Sequence, residues 1–266
     1  MDELTARVGS AADYEDFVRL HAELHVPDPV PDRAAWAERL APDALFLATD
    51  GGNVAYALAH RYGAVAHVVH VVVDPAFRGR GVGRRLFLML GERLRAAGCE
   101  EVRLNVKVGN EPAIRLYAGL GLEVHHRSAV LRLPWSVVDR LPRRDLPSVR
   151  APAPGEDEVL ERRFDLVAGQ IAAWREQGHR LLVAGEGQGF ARFVPGTGAM
   201  PFRPGRLPGA RALLEAMRPH APPASTHVQV VVEGDDDLAA ALRDAGGTLL
   251  FEVLHMRGPV PRGDAC

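Results

Sequence analysis

The chain has 266 residues, 47% of them hydrophobic and 25% charged, with a net charge of -2. This is the balance of a globular protein with room for one large or two small domains. The charge gives no electrostatic case for nucleic acid as a partner, no apolar run reaches membrane-span length, and the acidic start MDELTARVGS is not a secretion signal. Cys99 and Cys266 make neither a disulfide framework nor a zinc site, so no metal is expected and the expected compartment is the cytoplasm.

In chain order, Leu4 to Val8 reads as a short strand. Ser10 can cap a helix from about Asp13 to His25 with Phe17, Leu20 and Leu24 on one face. Pro27, Pro29 and Pro31 interrupt the chain, and a second helix runs from about Asp32 to Leu40 until Pro42 ends it. Ala44 to Thr49, Asn53 to Arg61 and Val65 to Val73 read as three strands joined by turns at Asp50-Gly51-Gly52 and Tyr62-Gly63. The third runs through Asp74-Pro75 into Arg78-Gly79-Arg80-Gly81-Val82-Gly83. A helix then carries Val82, Leu86, Leu90 and Leu94 at a spacing of four and stops at Gly98. Glu101 to Val108 is a strand, Asn110 to Leu120 a helix, and Leu122 to Leu133 a closing strand. Residues 134–158, with five prolines, read as a linker.

A strand, a glycine turn and a helix N-terminus together place backbone N–H groups where an anion such as phosphate binds. A Walker A loop is excluded because it needs lysine before Ser/Thr, and Lys107 is the only lysine. A dinucleotide fingerprint is excluded because Arg84 stands where its last glycine belongs. What remains is Arg78-x-x-Gly81-x-Gly83, followed downstream by Asn110-x-x-Ala113-x-x-x-Tyr117 and Leu120-Gly121-Leu122. Together these motifs resemble the acyl-CoA loop and the N-x-x-A-x-x-x-Y segment of the GNAT superfamily of N-acetyltransferases, and the element order over residues 4–133 is similar to that fold.

The resemblance implies acetyl-CoA as co-substrate and assigns roles. The backbone of Val71, Val72 and Val73 would pair with the pantetheine arm. The amides of Arg80, Gly81, Val82 and Gly83, in the loop that Arg78 and Gly79 open, would hold the pyrophosphate. An N–H near Val72 would stabilise the oxyanion, Asn110 would reach the pantetheine amides, and Tyr117 would be the acid for the leaving thiolate. His67, eleven residues before Arg78, matches a position where some members carry a glutamate. It could be the base, or it could line a groove in which water carries the proton. His70, three residues on, is expected on the opposite strand face. His125 and His126 are expected to point opposite ways at the surface. No G-x-S-x-G is present, so a serine hydrolase is not indicated.

The second half repeats the first at an offset of 126 residues. Val102, Val106, Ala113, Leu116 and Gly121 fall on Val228, Val232, Ala239, Leu242 and Gly247, and Pro75, Gly79, Arg80, Gly83 and Leu88 fall on Pro201, Gly205, Arg206, Gly209 and Leu214. Upstream of Pro201 the correspondence blurs, and loss of the strand before the second loop is expected. In the repeat, Arg78, Gly81, Val82, Asn110 and Tyr117 become Pro204, Leu207, Pro208, Asp236 and Arg243.

The expected fold is therefore α/β (α+β), with two tandem GNAT-like domains, each a mixed, mostly antiparallel sheet flanked by helices. The expected division is a catalytic domain at 1–135, a linker at 136–158 and a degenerate copy at 159–266. The expected activity is direct acetyl transfer from acetyl-CoA to a small-molecule or peptide amine. A non-catalytic acyl-CoA sensor and a structural or interaction protein are the alternatives. No nucleic acid or membrane partner is expected, and a monomer is compatible with the duplication.

Overall fold

The computed structural model describes residues 4–25 and 30–263. Cys266, Pro27 and Pro29 lie outside the described residues. The chain divides into two compact units, Met1–Val106 with Asn110–Glu123 and Met256–Cys266, and Lys107–Gly109 with Val124–His255.

In the first unit, strand β1 (Thr5–Val8) precedes helix α1 (Tyr14–His21), then come β2 (Ala44–Thr49), β3 (Gly52–Tyr62), β4 (Val65–Val73), α2 (Val82–Ala96), β5 (Glu101–Lys107) and α3 (Glu111–Ala118). The sheet runs β1-β2-β3-β4-β5. Its first three junctions are antiparallel and β4 lies parallel to β5, the connection that the crossover helix α2 supplies. Val82, Leu86, Leu90 and Leu94 of α2 are all buried, as their spacing requires. The other face carries a core of Phe17, Leu20, Trp36, Phe46, Tyr56, Leu58 and Val72, in which Phe17 stacks on Trp36 at 4.3 Å. The Asp13 carboxylate accepts from the Ser10 N–H and hydroxyl, both at 2.8 Å, and pairs with Arg7. The expected second helix begins as an α-turn at Arg33–Ala35, capped by Asp32, and widens to a π-turn over Trp36–Leu40. The chain's C-terminal stretch joins this unit, where the Val260 N–H donates to the Glu100 carbonyl at 2.9 Å.

The second unit takes β6 (Glu123–Pro134) from residue 124 onward, then β7 (Val149–Arg150), α4 (Asp157–Arg163), α5 (Gln170–Glu176), β8 (Arg180–Ala184), β9 (Gly189–Val194), β10 (Gly198–Arg203), α6 (Leu207–Met217), β11 (His227–Glu233), α7 (Asp236–Asp244) and β12 (Thr248–Pro259), the last as far as His255. Its strands follow the order β6-β11-β10-β9-β8-β7. β6 pairs antiparallel with β11 from Ser128↔Glu233 to Pro134↔His227, which places Leu131 and Leu133 beside Val228 and Val230 in one core. The closing strand expected for the first copy thus lies in the second unit, and the units depart from a division at 135.

Residues 134–158 are more than a linker. Trp135–Val138 forms a helical turn, and Trp135, Val138 and Leu141 join the second unit's core. The apolar side chains among those prolines supply this packing. The strand expected to be lost is present as β10, antiparallel to β9 and parallel to β11. The offset holds downstream of it. Glu101–Lys107 and His227–Glu233 correspond end to end, while α2 and α6, α3 and α7, and β6 and β12 start within a residue of that register. Among the described residues, no helix is long and apolar enough to cross a membrane.

Candidate active site

β4 and β3 shape the site through one irregularity. They pair regularly from Tyr62↔Val65 to Ala59↔Val68. The register then shifts, and pairing resumes from Leu58↔His70 to Ala55↔Val73. Val69 is the extra residue of this bulge and is 42% exposed. β4 pairs with β5 from Val65↔Glu101 to Val68↔Leu104. Past that stretch, Val71, Val72 and Val73 line a cleft of about 680 Å³.

The bulge also resets which side chains share a face. Directly paired residues lie on the same face, so Tyr56 with Val72, Leu58 with His70 and His60 with His67 all occupy one side. The expectation that His70 opposes His67 is therefore wrong, because alternation by two fails across an inserted residue. The Tyr56 hydroxyl lies 3.1 Å from His70 Nδ1, and the His21 ring meets the His70 ring edge-on at 5.2 Å. Burial, with His21 and His60 adding a smaller electrostatic effect, lowers the His70 pKa to about 3, so this imidazole is neutral at physiological pH.

Where β4 ends, the Asp74 carboxylate accepts from Arg19 Nη1 at 2.6 Å and from the Ala76 N–H at 3.0 Å, fixing the turn Pro75–Phe77. Gly79 and Gly81 then adopt φ of 73° and 77°, in the left-handed region open to glycine. Gly81 is the N-cap of α2 and offers no side-chain cap. The first-turn N–H groups of α2 have no acceptor within the helix and carry its positive end. A Cβ built on Gly79 or Gly81 meets nothing within 4 Å, whereas one on Gly83 comes within 3.5 Å of Leu116 and 3.6 Å of Val73. The loop is thus open above and packed below against α3 and β4.

The cleft lining includes Val71, Val72, Val73, Arg78, Gly79, Gly81, Val82, Gly83, Asn110 and Tyr117. Arg80 lies apart, lining a neighbouring cavity of about 230 Å³ with Arg85 and Thr49, its guanidinium 5.7 Å from the Phe77 ring. His67 does not line the cleft. It stands four residues before Val71, roughly 12 Å back along the strand.

Asn110 caps α3, its Oδ1 accepting from the Ala113 N–H at 3.3 Å. Tyr117 lies two turns on, 7% exposed and 5.2 Å from the Phe87 ring. Burial pushes its pKa up to about 12, so the phenol keeps its proton at neutral pH. Sequence reasoning missed Glu23 and Leu24, cleft-lining residues from the turn after α1 that belong to no motif. Among the described residues, no group of three or more His, Cys, Asp or Glu is arranged to hold a metal ion.

The corresponding loop of the second unit is built differently. A Cβ on Gly205 would come within 2.7 Å of the Gln188 carbonyl oxygen, and one on Gly209 within 2.2 Å of the Pro204 oxygen. Backbone fills the space that the first loop leaves open. The capping carboxylate of α7 is Asp235, accepting from the Leu238 N–H at 2.9 Å, one residue before the expected Asp236. His125 and His126 do not diverge, since their rings lie 5.2 Å apart. His126 stacks on His255 at 4.7 Å, and His125 Nε2 is 2.9 Å from Asp165. The signal missed was His255, the one histidine on β12.

Residues 12–122 match the Acetyltransferase (GNAT) family. The chain is 38% identical over 119 residues to N-alpha-acetyltransferase RimI of Mycobacterium tuberculosis, covering 42% of this chain and 73% of that protein. It is 35% identical over 147 residues to mycothiol acetyltransferase of Nocardioides sp., covering 45% of this chain and 50% of that one, so it spans about half the length of that relative. The solved tandem GNAT protein from the clavulanic acid biosynthesis pathway superimposes with a TM-score of 0.61 at 17% identity, over 98% of this chain and all of that one, a likeness of fold. With the open glycine loop and the Asn110–Tyr117 helix on one cleft, these matches establish that the chain belongs to the GNAT acetyltransferase family and has a tandem GNAT fold.

Proposed function

We propose that the first unit transfers an acetyl group from acetyl-CoA directly to a substrate amine, without an acyl-enzyme, and that the second unit does not bind the donor. The observation that carries this reading is the convergence of the Val71–Val73 strand end, the open glycine loop, Asn110 and the protonated Tyr117 on one cleft.

The residues divide the chemistry as follows. The α2 N-terminus and loop amides meet the pyrophosphate, which suits the absence of any side chain over Gly79 and Gly81. The Val71–Val73 backbone aligns the pantetheine arm as an added strand, and an N–H near Val72 meets the oxyanion as charge develops. Tyr117 gives its proton to the departing sulfur. His67 takes the amine proton through intervening water, since it stands back from the cleft, and His60 faces it across the strand pair. The names of the two relatives, an N-alpha-acetyltransferase and a mycothiol acetyltransferase, both denote acetyl transfer and differ in acceptor, so the acceptor is assigned as a small-molecule or peptide amine.

The test has two stages. Acetyl-CoA should raise the Tm, because the cleft exists only in the folded chain. CoA release should then be measured across a panel of amines and N-terminal peptides. Amine-dependent release supports the reading. A thermal shift with no turnover on any acceptor favours a sensor, and no shift at all removes the donor site.

A further inference from the structure

Among the described residues lining the cleft, Glu23 is the only carboxylate. It comes from the turn after α1, and its Oε2 lies 2.7 Å from Arg78 Nη2. Arg78 also donates from Nε to the carbonyl of Val73, the last residue of the strand lining the cleft, at 3.0 Å. The arginine that opens the loop is thus held at two points, by the Glu23 carboxylate and by the Val73 carbonyl. Arg84, the other arginine lining the cleft, has a different neighbour, the Gly119 carbonyl at 3.5 Å.

We propose that Glu23 is a built-in competitor of the donor. In the resting protein the Glu23–Arg78 ion pair ties the α1 wall to the loop, and the pyrophosphate of acetyl-CoA must take Arg78 from Glu23 to seat. Both anions want the same cation, and the doubly charged pyrophosphate also gains the loop amides that Glu23 cannot reach. The exchange weakens donor binding by the strength of the resting pair. It also leaves a carboxylate on the cleft wall once the donor is in place, where an incoming ammonium meets it.

This inference rests on the assignment of the cleft as the donor site, and isothermal titration with acetyl-CoA separates the two. Wild type, Glu23→Gln, Arg78→Gln and the double variant are compared, each first checked for an unchanged Tm without ligand. Glu23→Gln keeps the side chain's size and removes its charge, and it should tighten acetyl-CoA binding about two- to fivefold, the range of a partly exposed ion pair. In the Arg78→Gln background the same change should have no effect, since the competed cation is gone. Equal or weaker binding by Glu23→Gln, with wild type binding normally, overturns the proposal and leaves the donor site standing. Tightening of equal size without Arg78 also overturns it, because Glu23 would then act by general repulsion. Absence of binding by every variant overturns the donor-site assignment and this proposal with it.

Discussion

Two strand-to-helix turns, at the ends of β4 and β10, share glycines 126 residues apart, Gly79 with Gly205 and Gly83 with Gly209, whereas Gly81 has Leu207 as its counterpart, and the two turns differ in the space they leave. Around Gly79 and Gly81 the space is vacant, and the glycines adopt left-handed backbone in front of an uncapped helix end. Around Gly205 and Gly209, carbonyl oxygens of Gln188 and Pro204 sit where a side chain would begin. In the first loop glycine leaves room for something from outside. In the second it admits the protein's own backbone. One fold element therefore forms either an open turn or a packing contact, and the backbone that approaches it, with Leu207 in place of Gly81, sets the difference.

The comparison can be broken by substitution. Gly81→Glu should abolish donor binding while costing about 1–2 kcal/mol of stability, the usual penalty of left-handed backbone for a residue with a Cβ. Calorimetry and thermal denaturation read the two effects separately. Gly209→Ala should do the reverse, lowering the Tm by several degrees through a clash in the second unit while the donor Kd stays put. If Gly209→Ala weakens binding and spares stability, the roles of the loops have been misassigned.

Within the first unit, Tyr117→Phe should lower kcat roughly 10²-fold and barely move donor affinity, because the phenolic proton is needed only as the thiolate leaves. An unchanged kcat, with chemistry shown to be rate-limiting, would dismiss Tyr117 as the acid. His67→Ala should depress the rate most at low pH, where the amine depends most on a base; an acidic limb unmoved in midpoint and height would exclude it.

His70 offers a smaller effect, on stability. Its folded pKa of about 3 lies below the unfolded value near 6.5. Between these values the unfolded chain binds more protons, so the contribution is present above about pH 6.5 and is lost as pH falls toward 3. His70→Gln should flatten the Tm profile across that window; an unaltered profile would show that His70 titrates normally.

How much of this could be read from the residues alone follows from what sets each feature. The strands, α2 and α3 follow from local periodicity and glycine punctuation, and the end of β4 at Val73 follows from a β-branched run that stops at Asp74-Pro75. The loop and the Asn110–Tyr117 helix are local motifs whose convergence on one cleft follows from their elements. Three features were hidden because they depend on distant partners. The bulge at Val69 is a mismatch between two strands and leaves no mark in β4 itself, so alternation by two puts His70 on the wrong face. The place of β6 in the second unit depends on its pairing with β11, more than 90 residues away in the chain. Glu23 reaches Arg78 across 55 residues with no motif around it.

The central claim is that one loop binds the donor and its counterpart does not. Titration of acetyl-CoA into the full chain tests this directly. One site per chain is expected, with no saturable binding left in Gly81→Glu. A stoichiometry near two, or saturable binding that survives that substitution, would contradict it.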